Sequence, residues 1–184
     1  MSKAVLISIR PKWCEKIANG EKTIEVRKTR PRMAPPFKCY IYCTLPKYPH
    51  EDFIATDYPK PQFYGGGKVI GEFTCERIAL IAYDGGELSS TTNAAFSPAT
   101  CLTQAEIIAY IGDKGRCYGW HISDLVIYDE PKELIEFYTW KKCKSCRKSG
   151  YESTACSYDE NCMIPAAITK APQSWFYVEA MEDV

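Results

Sequence analysis

The chain has 184 residues, a formal net charge of zero and 46% hydrophobic residues, a composition typical of globular domains. It contains no apolar run of the ~18–20 residues that a membrane-spanning helix needs. The first 13 residues lack the apolar core and the cleavage site of a signal peptide, so we expect a cytoplasmic protein.

The charges are unevenly distributed along the chain. Residues 1–47 hold eleven Lys or Arg and three Glu, a net charge of +8, and the rest of the chain has a net charge of −8. This asymmetry predicts a basic face near the N-terminus, for which phosphate groups are the commonest partner. The alternative is that folding intermixes the two sets of charges.

The first quarter of the sequence predicts a strand, a helix and a second strand. Residues 4–9 (AVLISI) are typical of a short buried strand, and Pro11 then favours the first turn of a helix. Gly20 ends the helix, because glycine suits the left-handed conformation after a helix C-terminus. Residues 23–28 (TIEVRK) alternate with the period of a strand, which places Glu25 and Arg27 on one face.

The rest of the chain predicts more strands than helices. In order, the predicted elements are a proline-rich turn (31–37), a strand (39–44), a long loop (46–66), a strand bent near Gly71 (67–81), a polar loop (84–101), a helix opened by the capping box of Thr103 and Glu106 and ending at about Ile111, a strand (118–128), a short helix or edge segment (131–137) and a final strand (174–180). Five or six strands with two or three short helices indicate an α+β fold, a small mixed β-barrel with short flanking helices. We expect a single domain over residues 1–184.

Lys22, Glu25 and Arg27 are the candidate site. They follow Gly20 in the pattern G-x-K-x-x-E-x-R, with Lys22 in the turn and the other two about 7 Å apart on one strand face. Such a cluster can hold a phosphate, bind a base edge or exchange protons with a substrate. The alternative is a solvated strand face with an ordinary surface ion pair.

This segment resembles the ASCH family, a branch of the PUA-like superfamily. Its hallmark is the same turn and strand after a short N-terminal helix, here Gly20, Lys22, Glu25 and Arg27. Further similarities are the lead-in Ser8-Ile9-Arg10-Pro11, the strand Gly119-Trp120-His121-Ile122 and the approach Pro172-Gln173-Ser174-Trp175 to the last strand. The whole chain is similar to ASCH proteins of phages and prophages, with residues 141–163 as a Cys-rich insertion.

The resemblance implies a PUA-like barrel whose cleft is lined by this motif and binds RNA or a modified nucleotide. One family member removes the acetyl group from N4-acetylcytidine, and Lys22 matches its catalytic lysine, whereas Glu25 stands where that enzyme has threonine. Ribonuclease activity is also ascribed to some members. If the chain is an enzyme, an amidohydrolase or a ribonuclease, Lys22, Glu25 and Arg27 are its expected catalytic residues.

Further residues are predicted to contact the nucleic acid. Beyond Lys22, Glu25 and Arg27, positive side chains near the motif suit phosphates, and aromatic side chains suit stacking on unpaired bases. His121 and Ser174 belong to segments that resemble the family. The predicted binding set is Arg10, Lys12, Lys22, Glu25, Arg27, Lys28, Tyr42, Trp120, His121 and Ser174. Trp13 and Trp175 are also stacking candidates, but core packing is the alternative for each aromatic residue, and Trp13 lies on the apolar face of its helix.

The Cys-rich segment predicts a structural zinc site. Cys143 and Cys146 form a C-x-x-C pair, Cys156 and Cys162 follow, and four thiolates suit tetrahedral zinc. The alternative is a loop with free or redox-active thiols. We expect no organic cofactor, and the other six cysteines are expected to pack as small apolar residues.

Three functions remain open from the sequence. The first is a module that binds RNA or a nucleotide, and the second is the enzyme described above. The third is a phage-type accessory factor that binds a host protein through the Cys-rich insertion and the 46–66 loop.

Overall fold

The computed structural model of the chain describes residues 2–45, 66–90, 96–143 and 162–181. Its strands are β1 (Lys3–Ile9), β2 (Ile24–Arg27), β3 (Phe37–Cys43), β4 (Val69–Tyr83), β5 (Leu88–Ser90), β6 (Arg116–Lys132), β7 (Tyr138–Lys142), β8 (Met163–Ala167) and β9 (Trp175–Glu179). The α-helices are α1 (Pro11–Ala18), α2 (Phe96–Thr100) and α3 (Gln104–Ile111), and short 3-10 turns lie at Gly112–Lys114 and Leu134–Glu136. Predominant strands with three short helices confirm the predicted α+β class.

One seven-stranded mixed sheet dominates the described part of the chain. Its strand order is β2-β6-β4-β3-β1-β9, and β5 pairs with β4 outside this path. Within it β1 and β3 run parallel, while every other pairing is antiparallel. Strands β7 and β8 form a separate antiparallel pair.

The two ends of this sheet, β2 and β9, are joined by side chains. Trp175 of β9 donates from Nε1 to Thr29 Oγ1 just after β2, at 3.0 Å. Trp175 also contacts Trp120 of β6, with ring centroids 5.8 Å apart. Among the described residues the sheet is therefore curled towards a barrel without being closed by backbone pairing, which refines the barrel prediction.

Strand β1 is buried on both faces. Val5, Ile7 and Ile9 point into the cluster inside the curled sheet, which also contains Phe73 and Trp120. Ala4 and Leu6 point into a second cluster with Tyr40 and Phe137. Burial on both faces explains why residues 4–9 form a continuous apolar run instead of alternating.

Several predicted boundaries were wrong. The segment 84–101, predicted as a loop, contains β5 and α2, and β6 extends well beyond the predicted 118–128. Residues 131–137 contain a 3-10 turn, and the β7–β8 pair flanks the Cys-rich segment. The predicted long loop lies outside the described residues except for Gly66.

No helix in the described ranges is long and apolar enough to cross a membrane. The assignment of residues 1–184 to one domain stays a prediction.

Candidate functional site

The turn after α1 places Lys22 inside the molecule. Gly20 has a φ of +75°, a conformation that L side chains rarely adopt, and the Lys22 backbone N–H then donates to Lys16 O at 2.9 Å. The Lys22 ammonium donates to Ile24 O at 2.9 Å and to Thr100 O at 2.7 Å, and it lies 3.3 Å from Glu25 Oε2. All three of its N–H donors thus have an acceptor, one of them in α2.

Glu25 joins this lysine to Arg27. Arg27 Nη2 lies 2.9 Å from Glu25 Oε1 and also donates to Ser8 O of β1 at 2.5 Å. Glu25 is only 6% exposed and Lys22 only 2%. The structure therefore brings the three side chains together in a buried network (below, the ion network: Lys22, Glu25 and Arg27), and the solvated strand face considered from the sequence is excluded.

The ion network retains unpartnered hydrogen-bond donors beside it. Within the described part of the chain, Arg27 Nε and Trp120 Nε1 are buried and have no acceptor. Glu25 lies opposite Trp120 and Arg27 lies opposite Tyr118 in the antiparallel β2–β6 register, so all four side chains share one face. Buried polar groups are normally paired, so two orphaned N–H groups on one face indicate a place for an acceptor atom.

Trp13 covers the network from the side of α1. The Lys22 ammonium lies 5.2 Å from the centre of the indole ring, and the exposed Lys12 ammonium lies 4.8 Å from it. The ring is half-buried, so it packs against the core and also stands between a buried and an exposed cation.

Tyr110 of α3 adds a phenol on another side of the network. Burial raises the pKa of its hydroxyl, the Arg27 charge opposes that rise and the Glu25 charge adds to it. The Lys28 ammonium lies 5.1 Å from the Tyr110 ring. Tyr110 has no motif in the sequence that could have assigned it to the site.

Four other predicted binding residues lie around the ion network. Arg10, Lys12 and Lys28 are exposed near the network, at the N-cap of α1, in α1 and just after β2. The Ser174 carbonyl accepts from the Ser8 N–H at 2.9 Å, which places this residue next to the carbonyl that Arg27 contacts.

Tyr42 and Trp120, two of the predicted stacking residues, do not form an accessible stacking surface. Tyr42 packs against the second core cluster, and Trp120 is fully buried in the first. His121 follows Trp120 and points to the opposite face of β6; burial lowers its pKa, the Arg77 charge lowers it further, and Glu76 opposes the shift. Trp120 therefore lies beside the ion network as a buried ring with a free indole N–H and not as an exposed ring.

Two of the four predicted zinc ligands lie together. The Cys143 backbone N–H donates to Cys162 O at 2.9 Å, directly after β7 ends and before β8 begins, and both residues are buried. Cys146 and Cys156 lie outside the described residues, and no group of three or more metal-ligating side chains occurs among those described.

The remaining cysteines pack as the sequence predicted. Cys14, Cys39, Cys43, Cys75 and Cys117 are buried and Cys101 is half-buried. Burial raises the pKa of Cys75 to about 12 and that of Cys117 to about 11.

The fold is similar to that of known ASCH domains. No family model and no curated protein matches the sequence. The crystal structure of ASCH from Zymomonas mobilis superposes with a TM-score of 0.55 over 96% of this chain and 87% of that one, at 18% identity. A tyrosine-to-phenylalanine mutant of the same protein gives 0.56 over 97% and 91%, at 17% identity.

At this level of identity the likeness establishes the fold. The chain has the fold of an ASCH domain, and the resemblance predicted from Gly20, Lys22, Glu25 and Arg27 is confirmed at the level of fold.

Proposed function

We propose that the chain is a nucleic-acid-binding module that holds RNA, or a single nucleotide, against the ion network. The observation that carries this proposal is the pair of buried, unpartnered donors, Arg27 Nε and Trp120 Nε1, on the face that also contains Glu25. The ASCH fold, a PUA-like type, supports it.

Stability alone does not account for the ion network. Removing a charged group from water costs several kcal/mol, and apolar residues of similar volume often replace buried ion pairs without loss. Here one carboxylate serves two cations, which leaves a net positive charge in the interior.

The free hydrogen-bonding groups match the edge of a base. Arg27 Nε–H and Trp120 Nε1–H are donors for a carbonyl oxygen or a ring nitrogen. The Glu25 carboxylate uses one lone pair of each oxygen for Lys22 and Arg27 and retains others for an exocyclic amine. Because these groups are buried, an unpaired base that can be inserted fits them better than a base inside a duplex.

The contacts of Lys22 favour a role in positioning the ion network over a role in proton transfer. A lysine that acts as a general base must first lose a proton and then accept one from its substrate, whereas the three Lys22 protons are held by Ile24 O, Thr100 O and Glu25. The amidohydrolase and ribonuclease functions stay alternatives, as does the host-protein factor, whose proposed segments lie mostly outside the described residues.

Fluorescence anisotropy with a labelled single-stranded RNA octamer of mixed sequence tests the proposal. Trp120→Phe deletes the indole N–H and retains an aromatic ring, and Arg27→Lys deletes Nε and retains the charge. We expect Trp120→Phe to weaken binding about 3- to 10-fold, the effect of one hydrogen bond. Arg27→Lys should weaken it at least as much, because it also removes the guanidinium group that contacts Glu25 and Ser8. Tyr42→Phe, which deletes a hydroxyl on the other face of the sheet, is the matched control and should bind normally.

The same titration separates the alternatives. No binding of the octamer or of nucleoside monophosphates by the native protein would overturn the proposal, as would equal binding by all three variants. Release of acetate from N4-acetylcytidine, or cleavage of the octamer, that disappears in Lys22→Ala would establish the enzyme instead.

A further inference from the structure

An open pocket of about 400 Å³ lies where the chain leaves β2 and enters β6. This volume is within the range of small-ligand sites. Its lining residues come from two segments far apart in sequence. They are Lys28, Thr29 and Arg30 from the first, and Lys114, Arg116 and Tyr118 from the second.

The positive charge of this pocket, called here the basic pocket, is not compensated by its walls. Four of the six lining residues are Lys or Arg and none is acidic. All four cations are exposed, and none forms an ion pair with a carboxylate in the part of the chain that the structure describes. Four positive charges around a small concavity repel one another when the pocket is empty. A bound anion relieves this repulsion, so the pocket attracts anions.

Aromatic rings and not carboxylates hold two of these cations. The Arg30 guanidinium lies 5.8 Å from the centre of the Tyr118 ring, and the Lys28 ammonium lies 5.1 Å from that of Tyr110. A cation–π contact restricts the position of a charged side chain and leaves its charge available to a ligand.

Thr29 adds a neutral donor to the basic pocket. Its Oγ1 accepts the Trp175 Nε1–H at 3.0 Å, which fixes the rotamer and directs the hydroxyl proton elsewhere. A fixed hydroxyl among guanidinium and ammonium groups is a usual partner of a phosphate oxygen.

The basic pocket adjoins the ion network. Lys28 follows Arg27 directly, and Tyr118, which lines the pocket, lies opposite Arg27 on β6. A nucleotide whose base occupies the face of Glu25 and Trp120 therefore has the basic pocket beside it, just beyond the end of β2.

We propose that the basic pocket binds backbone phosphates of a single-stranded nucleic acid whose unpaired base enters beside the ion network. The nucleic-acid identity of the ligand rests on the function proposed above, whereas the anion-binding property rests on the pocket alone. A single strand is required because the neighbouring base-contacting groups are buried.

The salt dependence of octamer binding tests this proposal. Each phosphate contact to a single strand contributes about 0.7 to the slope of log K against log salt concentration. We expect the double variant Arg30→Gln/Arg116→Gln to lower the slope by about 1.4. The matched variant Arg77→Gln/Lys170→Gln removes two exposed cations outside the pocket and should keep the native slope. Unchanged thermal unfolding of both variants verifies that they fold.

The outcomes distinguish this proposal from the proposed function. If the octamer binds and the pocket variant retains the native slope and affinity, the basic pocket is not the phosphate site, although the chain still binds RNA. A duplex of the same sequence that binds as tightly as the single strand overturns the single-strand assignment.

If no oligonucleotide binds, the proposed function fails, and titration calorimetry with inorganic pyrophosphate tests the pocket separately. Pyrophosphate binding by the native protein that Arg30→Gln/Arg116→Gln removes would support an anion site. No pyrophosphate binding, or binding that the variant retains, would overturn it.

Discussion

Glu25 of β2 lies directly opposite Trp120 of β6, so the carboxylate shared by two cations stands on the same face as a fully buried indole. The ion network therefore lies against the aromatic core and is largely shielded from water, with Arg27 the most exposed of its three side chains. Charge interactions strengthen in such surroundings, and leaving a charge without its partner becomes costly. The order in which single substitutions destabilise the protein follows from this arrangement.

Glu25→Gln should destabilise the protein more than Lys22→Met. Losing Glu25 leaves Lys22 and Arg27 as two buried cations without a counter-charge, which costs about 3–5 kcal/mol. Losing Lys22 preserves the Glu25–Arg27 pair and withdraws a donor from two carbonyl groups, which costs about 1–3 kcal/mol. Urea unfolding followed by circular dichroism measures both free energies of unfolding.

The control for this pair is Lys16→Met. Lys16 forms an ion pair with Glu21 at 2.7 Å on the surface, where such pairs contribute little. We expect unfolding of this variant to match that of the native protein. Equal costs for Glu25→Gln and Lys22→Met, or the reverse order, would contradict a carboxylate-centred network.

Lys22 should also anchor α2. Its ammonium donates to Thr100 O at the end of α2, and nearby the Thr23 N–H donates to Ala99 O. In Lys22→Met the loss of one charged hydrogen bond should speed amide exchange in residues 96–101 by about 10-fold, because the segment opens more easily. Hydrogen–deuterium exchange with mass spectrometry measures this rate.

Lys12→Met provides the comparison, because Lys12 contacts the same Trp13 ring from the exposed side. Exchange in residues 96–101 should be native in this variant. Native exchange in Lys22→Met would show that α2 is held by its other contacts.

Local signals were sufficient for the start of the fold and for the convergence of the ion network. Proline at the first helical turn, Gly20 with positive φ and the alternation of residues 23–28 are properties of neighbouring residues, and each reappears in the structure. The burial of Glu25 could not be predicted from neighbouring residues. It depends on Thr100, Trp120 and the curled sheet, which belong to distant segments.

The basic pocket shows the same limit. Lys28 and Arg30 belong to the basic first quarter of the chain, but Lys114 and Arg116 come from the part whose net charge is negative. Only the β2–β6 pairing brings these cations together, and no local pattern encodes that pairing. Similarly, β5 and α2 are very short and carry no capping or periodic signal that the sequence could have revealed.

Protonation of His121 should reduce stability as the pH falls below neutral. Burial, assisted by Arg77 and opposed by Glu76, lowers its pKa below the ordinary 6.5. The unfolded chain therefore binds a proton at pH values where the folded chain does not. The stability that neutral His121 contributes is fully present above pH 6.5, the pKa of histidine in the unfolded chain. It is lost as the pH falls from 6.5 to the lower pKa that His121 has in the folded chain.

Urea unfolding at pH 7.5 and at lower pH checks this, with His121→Gln as the comparison. The native protein should lose more stability than the variant over this window, because carboxylates titrate in both proteins and cancel. Identical pH profiles would show that His121 has the same pKa in the folded and unfolded chains.

Metal content tests the Cys-rich segment. The β7–β8 pairing brings the backbones of Cys143 and Cys162 together, and both residues are buried. Two neighbouring cysteines suit half of a tetrahedral thiolate site, which Cys146 and Cys156 would complete. We expect about one zinc ion per chain by mass spectrometry of the purified protein. Cys143→Ser should lose most of it, because structural zinc binds weakly when one of four thiolates is missing.

Cys101→Ser is the matched substitution, since Cys101 is a half-buried thiol after α2 and belongs to no predicted ligand set. It should retain native zinc content, and a chelator should release zinc from it as slowly as from the native protein. A native protein without zinc would remove the metal site and favour free thiols, which alkylation at neutral pH would then label at Cys146 and Cys156. Equal zinc loss in both serine variants would indicate general destabilisation and would contradict Cys143 as a ligand.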